Sequence, residues 1–301
     1  VRSRSIAALA LLVATSATAQ TKHQHGPTMG SRGPSIAGSG PGAGGGPAGG
    51  GGSSGTPAPS WMASMLAAWM VDEASGTRVN IRGNTACDWT LGNGALANNT
   101  AQKREGLASL EATASNYLAT GCTPVARMGA PFTCVVWARP TTASGTLQVL
   151  KNDNGTMGFD LQYDAVATHY LFVGFLPASD TITASVTSPV NTWAHLAVVQ
   201  SATTSSLYVA GALAGSKART YTAQDGYFQA SAQFSSFLGE LDEAACATAA
   251  LSAASVCRIC SCQIDGSQCT CSGTAFATKG RNATDCGSCA LPADCTAAAP
   301  S

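Results

Sequence analysis

The middle of the chain is a succession of short apolar segments cut apart by turn residues, with no sustained 3.6-residue periodicity. The segments are 132–139 (FTCVVWAR), 147–151, 159–163, 170–176, 182–186, 193–200, 207–210 and 237–244. Turn formers lie between them: Ala143-Ser144-Gly145, Asn152-Asp153-Asn154-Gly155, Pro177-Ala178-Ser179-Asp180 and Ala210-Gly211. Runs of this length, rich in Val, Phe, Tyr and Thr, read as β-strands rather than helices. Their number and spacing predict an all-β sandwich of two antiparallel sheets. A single short helix is expected at 252–260, with Ser252 as its N-cap.

Composition narrows the partners. Of 301 residues only 11% are charged, and 16 basic side chains balance 16 acidic ones. Binding to nucleic acid or to an anionic membrane depends on concentrated Lys and Arg, and the sequence has no such cluster. Ala, Gly, Ser and Thr take the place of charge, which gives a polar but nearly neutral surface.

The first nineteen residues have the three parts of an export signal. Arg2 and Arg4 supply the positive start, 6–13 an apolar run, and Ala17-Thr18-Ala19 a small-x-small cleavage site, so that the mature chain would begin at Gln20. The apolar run is too short to span a bilayer, which takes about 20 residues. A valine at position 1 fits an alternative start codon and hence a bacterial source. Residues 20–60 form a Gly- and Pro-rich linker, with nothing apolar to offset the entropy of ordering it. His23 and His25 lie there without further ligands or a rigid frame, and make a poor metal site.

Twelve cysteines divide unequally. Cys87, Cys122, Cys134 and Cys246 fall among the strands. Cys257, Cys260, Cys262, Cys269, Cys271, Cys286, Cys289 and Cys295 crowd the last 45 residues, a segment (257–301) with too few large apolar residues for a core of its own. The Cys-x-x-Cys pairs would suggest zinc in a cytosolic protein; export shifts the reading to disulfides. Cys87 with Cys122 is the preferred pairing, leaving Cys134 and Cys246 as a second pair or as buried thiols.

Six segments, taken in order, resemble the laminin-G-like branch of the concanavalin A-like lectin/glucanase jelly rolls. They are AAWMVDEASGTRVNIRGN (67–84), KREGLASLEATASNYL (103–118), PFTCVVWARP (131–140), NTWAHLAVVQ (191–200), LYVAG (207–211) and FLGELDEAACATAALSAASV (237–256). The resemblance implies a jelly-roll domain over 61–256, followed by the disulfide-rich tail. It also implies a secreted or cell-surface module that binds a glycan or a protein, with a structural envelope or matrix role, or a glycoside hydrolase of the superfamily with an incomplete carboxylate pair, as the alternatives.

Enzymes of the same superfamily place a nucleophilic Glu, a helper Asp and an acid/base Glu on one face of a strand, and retention of configuration needs two carboxyl groups about 5–5.5 Å apart. The nearest match is Glu240-Leu241-Asp242-Glu243-Ala244-Ala245. Glu240 and Asp242 alternate correctly, Glu243 falls on the opposite face, and both acid/base positions are alanine, so no glycosidase activity is expected. Calcium is the one cofactor the resemblance raises. Asp242 would be its ligand, helped by Asp72 or Asn80; otherwise Asp242 caps a strand end or pairs with Arg78. Trp137 and Trp193, on strands with apolar alternate positions, are expected in the core. His195 is expected as a hydrogen-bonded buried or half-buried histidine.

Overall fold

A computed structural model describes residues 61–261, except 63–64, 74–75, 94–96, 105–106, 114–115, 154–156, 177, 223–226 and 232–234. The expected signal, the linker with His23 and His25, and the cysteines from Cys262 onward lie outside the described residues. The strands are β1 (Ala67–Trp69), β2 (Thr90–Asn93), β3 (Ala97–Asn99), β4 (Ser109–Ala112), β5 (Tyr117–Thr120), β6 (Phe132–Pro140), β7 (Thr146–Asp153) and β8 (Gly158–Asp164). They continue with β9 (His169–Leu176), β10 (Ala178–Thr183), β11 (Ala194–Gln200), β12 (Thr204–Val209), β13 (Ala212–Ala218), β14 (Phe228–Ala230) and β15 (Gly239–Ala247). Two short helices are α1 (Thr123–Ala126) and α2 (Ala253–Ser261).

All strand pairs are antiparallel. One sheet runs β13-β12-β11-β6-β15-β4-β3, with β1 also on β15; the other runs β10-β9-β8-β7-β14-β5-β2. The sheets stack face to face as a jelly-roll sandwich, and the sequence shows how differently their outer faces are treated. In β8 the inward Phe159, Leu161 and Tyr163 alternate with the polar Asp160, Gln162 and Asp164, the pattern of a sheet with one wet face. β6 and β11 are buried along nearly their whole length. Val136 and Val198 face the core between the sheets, whereas Val135, Ala197 and Val199 pack outward under Trp61, Met62, Met65 and the α2 residues Val256 and Ile259. The first sheet is therefore covered on both sides.

Local chemistry fixes that cover. Ser252 caps α2, its Oγ accepting the Ser255 N–H at 3.2 Å. Thr133, on the outer face of β6, donates to the Ala249 carbonyl at 2.7 Å and accepts the Leu251 N–H at 3.0 Å, which ties the approach to α2 to the sheet.

The last strand carries a bulge. Asp242 is opposite Trp137 on β6, but the next register pair is Ala245 with Val135, and Glu243 takes a left-handed φ of 45°. The bend lets two strands share one edge: β4 pairs with residues 239–241 of β15, and β1 with residues 244–246.

Two disulfides lie in the sandwich. Cys87 bonds Cys122, as preferred from the sequence, and Cys134 bonds Cys246 directly across the β6–β15 ladder. Cys257 and Cys260 on α2 are also disulfide-bonded.

Several elements depart from the sequence reading. Of the turn expected at 177–180, residues 178–180 are the start of edge strand β10, with Ala178 opposite Leu176. Ser179 and Asp180 are tolerated there because an edge strand has an unpaired side. The strand expected at 182–186 consequently ends at Thr183. β13 (ALAGSKA) and β14 (FQA) are built from residues too small or too few to give a period-2 signal.

Candidate functional site

The carboxylates of β15 are structural in their surroundings. Glu240 is 4% exposed and Asp242 and Glu243 are each 1% exposed. Glu240 Oε2 pairs with Arg139 Nη1 at 2.8 Å, and its Oε1 accepts from Asn99 Nδ2 at 3.2 Å. Arg139 also reaches the other way, donating from Nη2 to Asn191 Oδ1 at 3.1 Å and from Nε to the Asn191 carbonyl at 3.2 Å. Asn191 holds a left-handed φ of 62° and bonds the Pro140 carbonyl through its own N–H at 2.7 Å. Glu240, Arg139 and Asn191 thus form a strut from the sheet to the loop before β11. Past the bulge, Ala244 faces the core between the sheets and Ala245 the outer cover.

The residues nominated for calcium hold backbone instead. Asp242 Oδ2 accepts the Arg104 N–H at 2.8 Å. Asp72 Oδ1 accepts the N–H groups of Leu107 and Ala108 at 2.6 and 3.1 Å, so the two carboxylates grip one loop at two points. Asn80 Oδ1 accepts from Ala68 and Arg82. Arg78 donates to the Gly76 carbonyl and to Asn98, not to Asp242. Among the described residues no group of three or more His, Cys, Asp or Glu is arranged to hold a metal ion.

Beside Asp242, the outer face carries Trp137 and His195 in register with each other. Trp137 is fully buried, as expected. His195 is buried too, but neither ring nitrogen has a hydrogen-bond partner, contrary to the expected hydrogen-bonded histidine. Its ring meets Trp137 edge-on at 5.3 Å, and the Arg104 guanidinium lies over the same indole. Burial, with Arg104 adding to it, lowers the His195 pKa to about 3, so the imidazole is neutral.

Trp193 departs further from expectation. It precedes β11, packs one side against Trp137 and Cys260, and is only half-buried. Its remaining surface lines a cavity of about 310 Å³. One wall is the 186–194 segment and the other is the β12–β13 hairpin, including Ala210, Leu213 and Ala214. Ala210 and Gly211 both take positive φ (52° and 81°), which turns the hairpin tightly and presents Leu213 to the cavity. Val186 and Leu213 are among the most exposed large apolar residues of the domain. A half-buried aromatic could not be told from a core one by strand alternation; what marks Trp193 is its place just before the strand's first residue, at the end of a loop.

Residues 112–257 match the model of the concanavalin A-like lectin/glucanases superfamily. Solved structures of like fold include the binding domain of Paraclostridial Mosquitocidal Protein 1, with TM-score 0.52, 14% identity, and coverage of 65% of this chain and 51% of that one. The botulinum neurotoxin serotype D binding domain gives TM-score 0.52 at 10% identity, covering 65% and 51%. The receptor binding domain of botulinum neurotoxin C/D mosaic serotype gives 0.51 at 10%, covering 64% and 50%. The match thus spans about half the length of these structures, and at such identities the likeness is one of fold. No curated protein matches the sequence. No helix among the described residues is long and apolar enough to cross a membrane.

Proposed function

We propose that the chain is an exported, non-catalytic binding module that engages an extracellular glycan or protein through the cavity beside Trp193. The observation that carries this reading is a half-buried tryptophan on the wall of an apolar, loop-lined cavity, while the carboxylates that could have done chemistry are buried in structural contacts. The like-folded structures named above are themselves binding domains, which supports the same reading. The disulfides fit an oxidising compartment, in keeping with the export signal read at 1–19, the linker at 20–60 and the cysteine-rich end.

The cavity lining contains no carboxylate, so binding there needs no calcium and survives chelation by EDTA. The test is retention of the purified chain on a glycan array and on cell-envelope or matrix fractions, beside Trp193→Ala. Retention by the native chain, lost in the variant at an unchanged melting temperature, is expected. Retention indifferent to Trp193, or turnover of a bound glycan, would overturn the proposal.

A further inference from the structure

We infer that the cavity takes an uncharged saccharide, one neutral sugar ring seated against Trp193. The inference rests on the binding role proposed above and names the ligand class. Its first support is the lining. The 186–193 segment interleaves hydroxyls (Thr187, Ser188, Thr192) with apolar groups (Val186, Pro189, Trp193), and the facing hairpin contributes only aliphatic side chains. No ionisable side chain lines the cavity.

A sugar ring has the complementary surface: patches of C–H on its faces for an aromatic or aliphatic wall, and hydroxyls at its rim for Ser and Thr. A uronate, a sialic acid or a charged amino-acid side chain would have to shed water beside a wall with no counter-charge, which is strongly unfavourable. The Arg139 guanidinium, which reaches Asn191 next to the lining residue Thr192, is engaged by Glu240 and Asn191. At about 310 Å³ the space lies at the small end of small-molecule sites, enough for roughly one or two rings and not for a folded epitope.

The second support is that the loop is held in place before any ligand arrives. The Ser188 N–H bonds the Thr168 carbonyl at 2.7 Å, and the Ser188 carbonyl accepts the Tyr163 hydroxyl at 2.8 Å. The Val186 carbonyl is 3.0 Å from His169 Nδ1, and Arg139 holds Asn191. A wall fixed from three sides loses little freedom on binding, which suits a small rigid ligand with few contacts.

The chain also carries its own reporter. Of its five tryptophans, Trp61, Trp69, Trp89 and Trp137 are at most 1% exposed, so changes in solvent quenching report on Trp193. The full-length chain is titrated with neutral gluco-, xylo-, manno- and arabino-oligosaccharides, with sialyllactose and oligogalacturonate, and with octanoate as an alkyl control. Tryptophan emission and acrylamide quenching are read at about 50 and 500 mM salt.

At least one neutral oligosaccharide is expected to protect Trp193 from acrylamide, with an affinity unchanged by salt. Trp193→Ala and Leu213→Asp should each weaken it by at least ~10-fold, measured by calorimetry, with melting temperatures held. Preference for an acidic sugar, affinity that falls steeply with salt, or octanoate binding in place of sugar would overturn the inference while leaving a binding role intact. So would protein-ligand capture that depends on Trp193 with no saccharide bound. Binding to nothing in either experiment would bring down both.

Discussion

The guanidinium carbon of Arg104 sits 4.2 Å from the centre of the Trp137 ring. The indole meets His195 edge-on, so a cation, an aromatic ring and a neutral imidazole come together in one largely buried corner of the outer face.

That corner predicts a pH dependence. Burial and Arg104 hold the His195 pKa at about 3 in the folded chain, against an ordinary 6.5. Between those values the unfolded chain binds a proton that the folded one refuses. The stability tied to His195 is therefore complete above pH 6.5 and is lost progressively as pH falls toward 3. Urea unfolding should show that loss, and His195→Phe should flatten the slope relative to the native chain. An identical slope in both would count against a neutral buried imidazole.

The strut through Arg139 predicts a coupled effect. Its pairing with Glu240 is largely shielded, with side-chain exposures of 14% and 5%. Glu240→Gln leaves Arg139 without its counter-charge and is expected to cost about 3 kcal/mol in denaturant unfolding. Because Arg139 also holds Asn191, the same variant should make Trp193 more accessible to acrylamide at temperatures well below melting. Quenching unchanged from the native chain would show that the loop stands without the strut.

The two sandwich disulfides should differ in what they contribute. Cys134 and Cys246 are 112 residues apart in sequence, Cys87 and Cys122 only 35. In the chain-entropy account the longer loop restricts the unfolded chain more, by about 1 kcal/mol (1.5RT times the logarithm of the length ratio). Comparing the two double Cys→Ala variants by calorimetry, the 134/246 variant should lose more stability. The reverse order would point to enthalpy, not chain entropy, as the source.

Gly239 opens β15 with φ 154°, and a Cβ there would lie 2.1 Å from the Arg139 carbonyl oxygen. Backbone cannot swing away as a flexible side chain can, so Gly239→Ala should separate β15 from β6 at Pro140. A loss of at least about 2 kcal/mol is expected. A melting temperature within a degree of the native one would refute this close approach.

Much of the sandwich is legible in the sequence because burial writes itself as periodicity. FTCVVWAR lacks polar alternation since β6 is covered on both faces, while GFDLQYD alternates since β8 is covered on one. The Cys87–Cys122 bridge was likewise within reach. What escaped has physical reasons. β13 consists mostly of small residues, and its one large apolar side chain, Leu213, is exposed, so it carries no clear pattern. β10 begins with residues that usually make turns, and only its edge position lets them extend. The bulge at Glu243 breaks the strict alternation from which faces were counted on β15. Trp193 looked like core because its strand is core, and its exposure is decided by where a loop ends, which local pattern does not encode. Asp242 and Asp72 looked like cation ligands; that they also accept backbone amides depends on Arg104, Leu107 and Ala108 arriving from elsewhere in the fold.

The division of β15 between two partners has a topological consequence. β1 lies on its second half, and Trp61, Met62 and Met65 belong to the same apolar cluster as Val256 and Ile259 of α2. The domain's entry and exit are consequently neighbours, closed over one another like a clasp. A module built this way can be spliced into a surface loop of a host protein with little stretching of the host's backbone.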